Sequence, residues 1–174
     1  MNTPELAARL VKAALLHGTF TLRSGAVSNV YFDKYRFESD PALLAAITRA
    51  MVPRLPVGAD ALAGLEMGGI PVATLLGQHT GLPVLFVRKQ AKEYGTCQLA
   101  EGGEFAGRTL VVVEDVVTSG GQILLSVAEL RALGAVVTDV VCVIDREAGG
   151  PENLAREGLT LHPLFTMTEL MKHA

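Results

Sequence analysis

The sequence predicts an α/β fold in which a mostly parallel central sheet is flanked by helices. Two observations carry that expectation. A short apolar run at 61–65 and near-continuous runs of Val, Leu and Ile at 109–113 and 136–144 read as strands buried on both faces. Segments of helical periodicity lie between such runs, the alternation that strand–helix–strand crossovers require. The chain has 174 residues and is 49% apolar, which suits a single domain, 1–174, with a substantial core. No repeat, low-complexity tract or linker divides it.

The elements follow in order. Residues 4–17 set Leu6, Leu10 and Ala13 between Glu5, Arg9 and Lys12 at helical spacing, with Gly18 as the stop. Strands are expected at 19–22 and 30–33, joined by a polar turn around Ser24 and Gly25. Asp40 before Pro41 is an N-cap and first-turn pair opening a helix to about residue 54. A strand at 61–65 leads through Gly68 and Gly69 into a helix at 70–79, and then into a strand at 82–87. The stretch 88–108 is polar, contains Gly95, Gly102, Gly103 and Gly107, and has no period. A loop of that length in a compact domain is usually functional or disordered. A strand at 109–113, a turn and a helix at 121–133 come next, with Gly134 as the stop. A strand at 136–144, a turn at Gly149-Gly150-Pro151, a short helix, a strand at 159–164 and a helix from Thr166 complete the chain.

Composition narrows the function. Fifteen basic against 18 acidic side chains give a net charge of −3, without the electrostatic footprint of a duplex-DNA binder. With no Trp and 5% aromatics, an extended base-stacking platform is not expected either. Cys97 and Cys142 lie far apart, without the spacing of a zinc or redox site or the density of a disulfide scaffold. The N-terminus lacks the order of a signal peptide, and the most apolar stretch, 133–144, is too short to span a bilayer. A reducing cytoplasm is the expected location.

The strongest chemical signal is LVVVEDVVTSGG at 110–121. A buried strand ends in Glu114 and Asp115, and a turn of small residues then opens a helix. Ligands of open α/β sheets bind at the carboxyl edge of the strands. Thr118, Ser119, Gly120 and Gly121 can aim hydroxyls and backbone N–H groups at a phosphate, whose charge a helix N-terminus favours. The acidic pair repels phosphate and suits hydroxyl groups or a divalent metal nearby. A phosphate at one end and a diol at the other describe a ribose 5-phosphate. Walker A and GxGxxG patterns are both absent.

The segment 111–121 resembles the phosphoribosyl-pyrophosphate (PRPP) motif of type I phosphoribosyltransferases. Four further segments bear on the leaving group and the base. RKQAKEYG at 88–95 resembles the mobile loop of orotate phosphoribosyltransferases, although Tyr94 stands where His is common. Its three cations suit a pyrophosphate leaving group, whose charge grows as the glycosidic bond breaks. FTLRSG at 20–25, with Tyr31, Phe32 and Asp33, is similar to that family's N-terminal orotate-binding segment, and Asp145-Arg146 resembles the position of its orotate-contacting arginine. GLEMGGIP at 64–71 fits its pyrophosphate loop, with Gly68 where some relatives carry Lys, so one cation is absent there.

The resemblance implies an orotate phosphoribosyltransferase that forms orotidine 5′-phosphate and pyrophosphate in de novo UMP synthesis. It implies Lys92 and Asp115 as catalytic residues. PRPP would be held by Arg88, Lys89, Lys92, Glu114, Asp115, Val116, Val117, Thr118, Ser119, Gly120, Gly121, Met67 and Gly68. Orotate would meet Arg23, Tyr31, Phe32, Thr118 and Arg146. Mg²⁺ would be bound mainly by substrate oxygens. A hood at about 1–38, a lid at about 88–108 and a homodimer whose lid reaches the neighbouring site are implied as well. The competing readings are a phosphoribosyltransferase for another base, which would not need Arg23 and Arg146, and an inactive PRPP-sensing regulator.

Overall fold

The chain begins with a helix because Leu6, Ala7, Leu10, Val11 and Ala14 fall on one face and are buried there. The computed structural model describes residues 3–21, 25, 27–90 and 99–174. Helix α1 (Thr3–Ala14) stops three residues before the expected end, since Leu15, Leu16 and His17 pair with Phe32, Tyr31 and Val30 instead. Strand pairing overrides helix propensity here. The antiparallel hairpin of β1 (Leu15–Thr21) and β2 (Val27–Phe32) is therefore longer than the sequence suggests.

A one-turn helix, α2 (Tyr35–Glu38), was not expected, and it buries Phe37 completely. Helix α3 (Pro41–Met51) starts as the Asp40-Pro41 pair predicts, the Asp40 carboxylate accepting from the Ala42 and Leu43 amides at 3.0 and 2.9 Å. It gives way to a 3-10 turn over Val52–Arg54 that contains Pro53. The remaining elements are β3 (Ala61–Leu65), α4 (Gly69–Thr80), β4 (Val84–Val87), β5 (Ala100–Glu101), β6 (Thr109–Val117), α5 (Gly121–Ala132), β7 (Val136–Asp145), α6 (Gly150–Arg156), β8 (Thr160–Thr166) and α7 (Met167–Met171).

Three of these differ from expectation. Strand β5 lies inside the stretch expected to be loop and pairs antiparallel with Phe86 and Val87 of β4. Strand β6 runs four residues further, to Val117, because Val116 and Val117 pair with Ile144 and Asp145 of β7. The acidic pair thus sits within the strand rather than at its end. The Gly149-Gly150-Pro151 turn is also a helix start, with Gly149 as N-cap at φ 83°.

The main sheet has the order β5-β4-β3-β6-β7-β8, and every pair except β4–β5 is parallel. On one face Val111, Val113, Val141 and Val143 join the apolar sides of α1, α3 and α4. On the other, Leu110, Val112, Val140 and Cys142 pack with Ile123, Val127 and Leu130 of α5 and Leu154 of α6. Consecutive residues of one strand thus enter different layers, which explains the unbroken apolar runs. Among the described residues no helix is long and apolar enough to cross a membrane.

Phe37 is the anchor that fixes α2 in the core layer it shares with α1 and α3. Phe37→Ala should lower unfolding free energy by about 3–5 kcal/mol, measured by urea denaturation followed by circular dichroism.

Candidate active site at the switch point of the sheet

The strand order reverses at β3: the chain passes from β3 to β4 on one side, then returns to β6 on the other. Loops leaving the carboxyl ends of β3 and β6 must therefore diverge, and the crevice between them is where an open sheet takes a ligand. The residues after β3 are Glu66, Met67 and Gly68, and those at the end of β6 run from Glu114 to Gly120.

Asp115 is fully buried. Its Oδ1 accepts from the Val116 amide at 2.6 Å, and its Oδ2 lies 2.5 Å from Nζ of Lys34, just after the hairpin. Burial alone would raise the Asp115 pKa, but hydrogen bonds from Glu38, Lys34 and Glu114 and the Lys34 charge hold it below the ordinary value. Burial also opposes the charge on Lys34, yet the Asp115 hydrogen bond and charge keep its pKa raised. Glu38 is pushed up to about 9, first by burial and then by its hydrogen bond to Asp115 and that carboxylate's charge. Burial and the adjacent Asp115 charge raise Glu114 well above its usual range too. The directions are complementary: Asp115 favours its charged form beside the Lys34 ammonium, while Glu38 and Glu114 favour their protonated forms.

Glu114 also lines a cavity of about 250 Å³ with Val116, Val117, Thr118, Ser119, Gly120, Gly121, Gln122 and Ile123. Gly120 is the N-cap of α5 with φ 79°, a backbone conformation that side chains disfavour. Helix α6 braces this turn from outside. Asn153 Nδ2 donates to the Ser119 carbonyl at 3.0 Å, and the Arg146 amide donates to the Val117 carbonyl at 2.9 Å. A Cβ on Gly150 would lie 2.6 Å from the Thr118 carbonyl oxygen. The Arg146 side chain is exposed beside this edge.

Across the crevice, a Cβ on Gly68 would run into the Asp115 carboxylate, and one on Gly69 into the Val113 carbonyl. Gly68 therefore does more than lack a cation: any side chain would displace Asp115 from its place, and Lys34 brings the positive charge from another direction. Met67 is largely exposed. Glu66 Oε1 accepts from the Lys89 amide at 2.6 Å, and its own amide donates to Val87 at 2.8 Å, so the β3 loop and the start of the 88–108 stretch are joined. Arg88 Nε is buried without a hydrogen-bond partner among the described residues.

On the hairpin, the rings of Phe20 and Tyr31 lie 5.5 Å apart at 32°, while Phe32 turns to the core. Tyr31 is thus grouped with Phe20, since adjacent strand residues point to opposite sides. Arg23 and Lys92, and with them Tyr94 and Cys97, lie outside the described residues.

Residues 36–164 match the phosphoribosyl transferase domain family. An orotate phosphoribosyltransferase of Nocardioides sp. is 52% identical over 165 residues, covering 95% of this chain and 92% of its own. The chain belongs to the orotate phosphoribosyltransferase family. Two crystal structures of the orotate phosphoribosyltransferase of Mycobacterium tuberculosis H37Rv have the same architecture. The Fe(III) dicitrate complex matches with a TM-score of 0.88 at 32% identity, and the PRPP complex with 0.83 at 29%. Each alignment covers 97% of this chain and 98% of the other.

Orotate phosphoribosyltransferases typically use Mg²⁺. That ion prefers hard oxygen donors, and in the crevice the Asp115 carboxylate is engaged by Lys34 and the Val116 amide. Among the described residues no group of three or more His, Cys, Asp or Glu could hold a metal. The residues present therefore fit an ion that takes its oxygens mainly from a phosphorylated ligand.

Lys34, Glu38, Glu66 and Asn153 were missed from sequence. For Lys34 a signal existed, because an aspartate on so apolar a strand needs a counter-ion. The other three act on partners 23 to 77 positions away, with no local pattern to reveal them.

Glu38 has a consequence for pH. Folded, it keeps a proton up to about 9, whereas at the ordinary 4.5 the unfolded chain has lost it. Its contribution to stability is full below 4.5 and is lost as pH rises toward 9. Thermal melting followed from about pH 6 to about pH 9 should fall less steeply for Glu38→Gln than for the parent.

Proposed function

We propose that this chain transfers the 5-phosphoribosyl group of PRPP to orotate, giving orotidine 5′-phosphate and pyrophosphate in pyrimidine biosynthesis. The observation that carries this reading is the pairing, at one sheet switch point, of a buried ionised aspartate with a glycine turn opening a helix. In this reading the amides and hydroxyls of Thr118–Gly121, with Val116 and Val117, hold the 5′-phosphate at the α5 N-terminus. Asp115 and Glu114 take the ribose hydroxyls. Met67 and Gly68 present backbone to the diphosphate.

Phe20 and Tyr31 offer an aromatic surface to the base, with Phe32 behind them. Arg23 and Arg146 meet the orotate carboxylate, and Thr118 borders it. The ring nitrogen of orotate attacks C1′ as the bond to pyrophosphate breaks, and positive character develops on the ribose. Asp115 stabilises that charge, while Lys92, assisted by Arg88 and Lys89, neutralises the leaving pyrophosphate. No side chain forms a covalent intermediate. Mg²⁺, when bound, would be held mainly by substrate oxygens and would neutralise diphosphate charge.

The chain works as a single domain, 1–174, with a hood at about 1–38 and a lid at about 88–108. It acts in the cytoplasm as a homodimer in which each lid serves the neighbouring site.

Pyrophosphate release from PRPP and Mg²⁺ should occur with orotate and not with adenine, hypoxanthine, xanthine or uracil. Lys92→Ala should lower kcat by about 100-fold or more, read in a coupled pyrophosphate assay. Release with another base would overturn the choice of orotate; PRPP binding without turnover of any base would favour the regulator. For the shared site, Lys92→Ala and Asp115→Asn subunits, each inactive alone, should regain activity when mixed and re-equilibrated. A mixture as inactive as its components would exclude lids that serve the neighbouring subunit.

A further inference from the structure

We propose that Lys34 is the positioning residue for Asp115: its ammonium orients the buried carboxylate toward the ribose hydroxyls and thereby links the hairpin that meets the base to the pocket that meets the sugar. The inference rests on the reading of Asp115 as the ribose-binding acid.

Two donors from different elements fix the carboxylate. The Val116 amide, on the strand itself, holds Oδ1 at 2.6 Å, and Lys34 Nζ, reaching in from the end of β2, holds Oδ2 at 2.5 Å. The amide holds one oxygen by a hydrogen bond, and the ion pair with Lys34 supplies the charge that meets the other, which has no hydrogen-bond partner among the described residues. The aspartate is fully buried and the lysine side chain is 32% exposed, so the lysine spans from solvent to the floor of the crevice. Gly68 leaves the room that the carboxylate occupies. Lys34 is itself steadied, its ammonium 5.2 Å from the centre of the Tyr35 ring.

The remaining groups around Asp115 can be displaced. Glu38 from α2 and Glu114 from β6 face it as neutral acids, with Asp33 and Tyr35 contributing near Lys34 and Glu38. A carboxylate offers about four acceptor positions. In the ligand-free site the Val116 amide meets Oδ1 and the Lys34 ammonium pairs with Oδ2, while the carboxyls of Glu38 and Glu114 lie beside them. Ribose hydroxyls, also neutral O–H donors, can replace the two acids in kind. They cannot replace the ammonium without leaving a buried charge uncompensated, which is far more costly. Lys34 therefore stays on Asp115 while the acids yield. Because it is two residues from Phe32, any shift of the hairpin end is carried to the sugar pocket.

The test uses the full chain and compares Lys34→Met, Lys34→Gln and Lys34→Arg. PRPP affinity by calorimetry and the pH profile of kcat/KM for PRPP are the readouts. In the neutral variants PRPP should bind about tenfold or more weakly near pH 7. The acidic limb of the profile should move to higher pH, because Asp115 then ionises without its cation. Competition by inorganic phosphate at the α5 turn should stay within about twofold, and Lys34→Arg should restore most of the loss. Unchanged PRPP affinity and pH limb in a folded neutral variant would overturn the proposal. So would a loss that is equal at all pH values and extends to phosphate, which marks a merely structural role. If Lys34→Met does not fold, Lys34→Gln, nearly as long and uncharged, decides between these outcomes. A parent protein that fails to bind PRPP would instead overturn the underlying functional reading, and this inference with it.

Discussion

An ionised carboxylate held wholly out of water is expensive, and the arrangement of this molecule around Asp115 follows from that cost. The strand that carries Asp115 lies between two others, so solvent cannot reach it from either edge. The charge must be met from inside. The hairpin supplies Lys34, α2 supplies the protonated Glu38, and the loop after β3 withdraws by having no side chain at position 68. Two segments far apart in sequence, 34–38 and the loop at Gly68, are thereby committed to one point. Much of the hairpin is exposed and it is not part of the main sheet, so Lys34 adds to the few core contacts, Leu15 and Phe32 among them, that hold it in place.

Much of the fold was legible because each element carries its own local signal. The Asp40-Pro41 start, the β-branched run ahead of Glu114, the glycine stop at 134 and the alternation of strands with helices are all short-range patterns. The failures have a common cause. Leu15 to His17 continue a helical period but are claimed by a strand partner that lies beyond a turn. Val116 and Val117 follow two charged residues, a normal strand end, and remain strand because β7 continues beside them. Ala100 and Glu101 are too few to make a pattern at all, and only the edge of β4 makes them a strand. Long-range pairing decides such residues, and one chain read alone does not display it.

The site divides along the same line. Its backbone features, the turn before α5 and the paired glycines after β3, were apparent because glycine marks close approach and unusual dihedrals locally. The charge network was half visible. Acidic residues on an apolar strand are conspicuous, but the lysine that meets one of them is 81 positions earlier in an unremarkable stretch. The reading of Gly68 changed most. From sequence it was a missing cation; in three dimensions it is the space that lets the aspartate and a different cation meet.

The bracing of the α5 turn by α6 bears on how tightly an anion can be held. Asn153 grips the Ser119 carbonyl, Gly150 abuts that of Thr118, and the Arg146 amide grips that of Val117. Three consecutive carbonyls are thus engaged on the outer side, which leaves their amides no freedom to turn away. A loop that ordered itself only on contact would surrender part of each new hydrogen bond to lost backbone entropy. Here that ordering is completed when the protein folds, so on the proposed reading a phosphate would meet donors already in register.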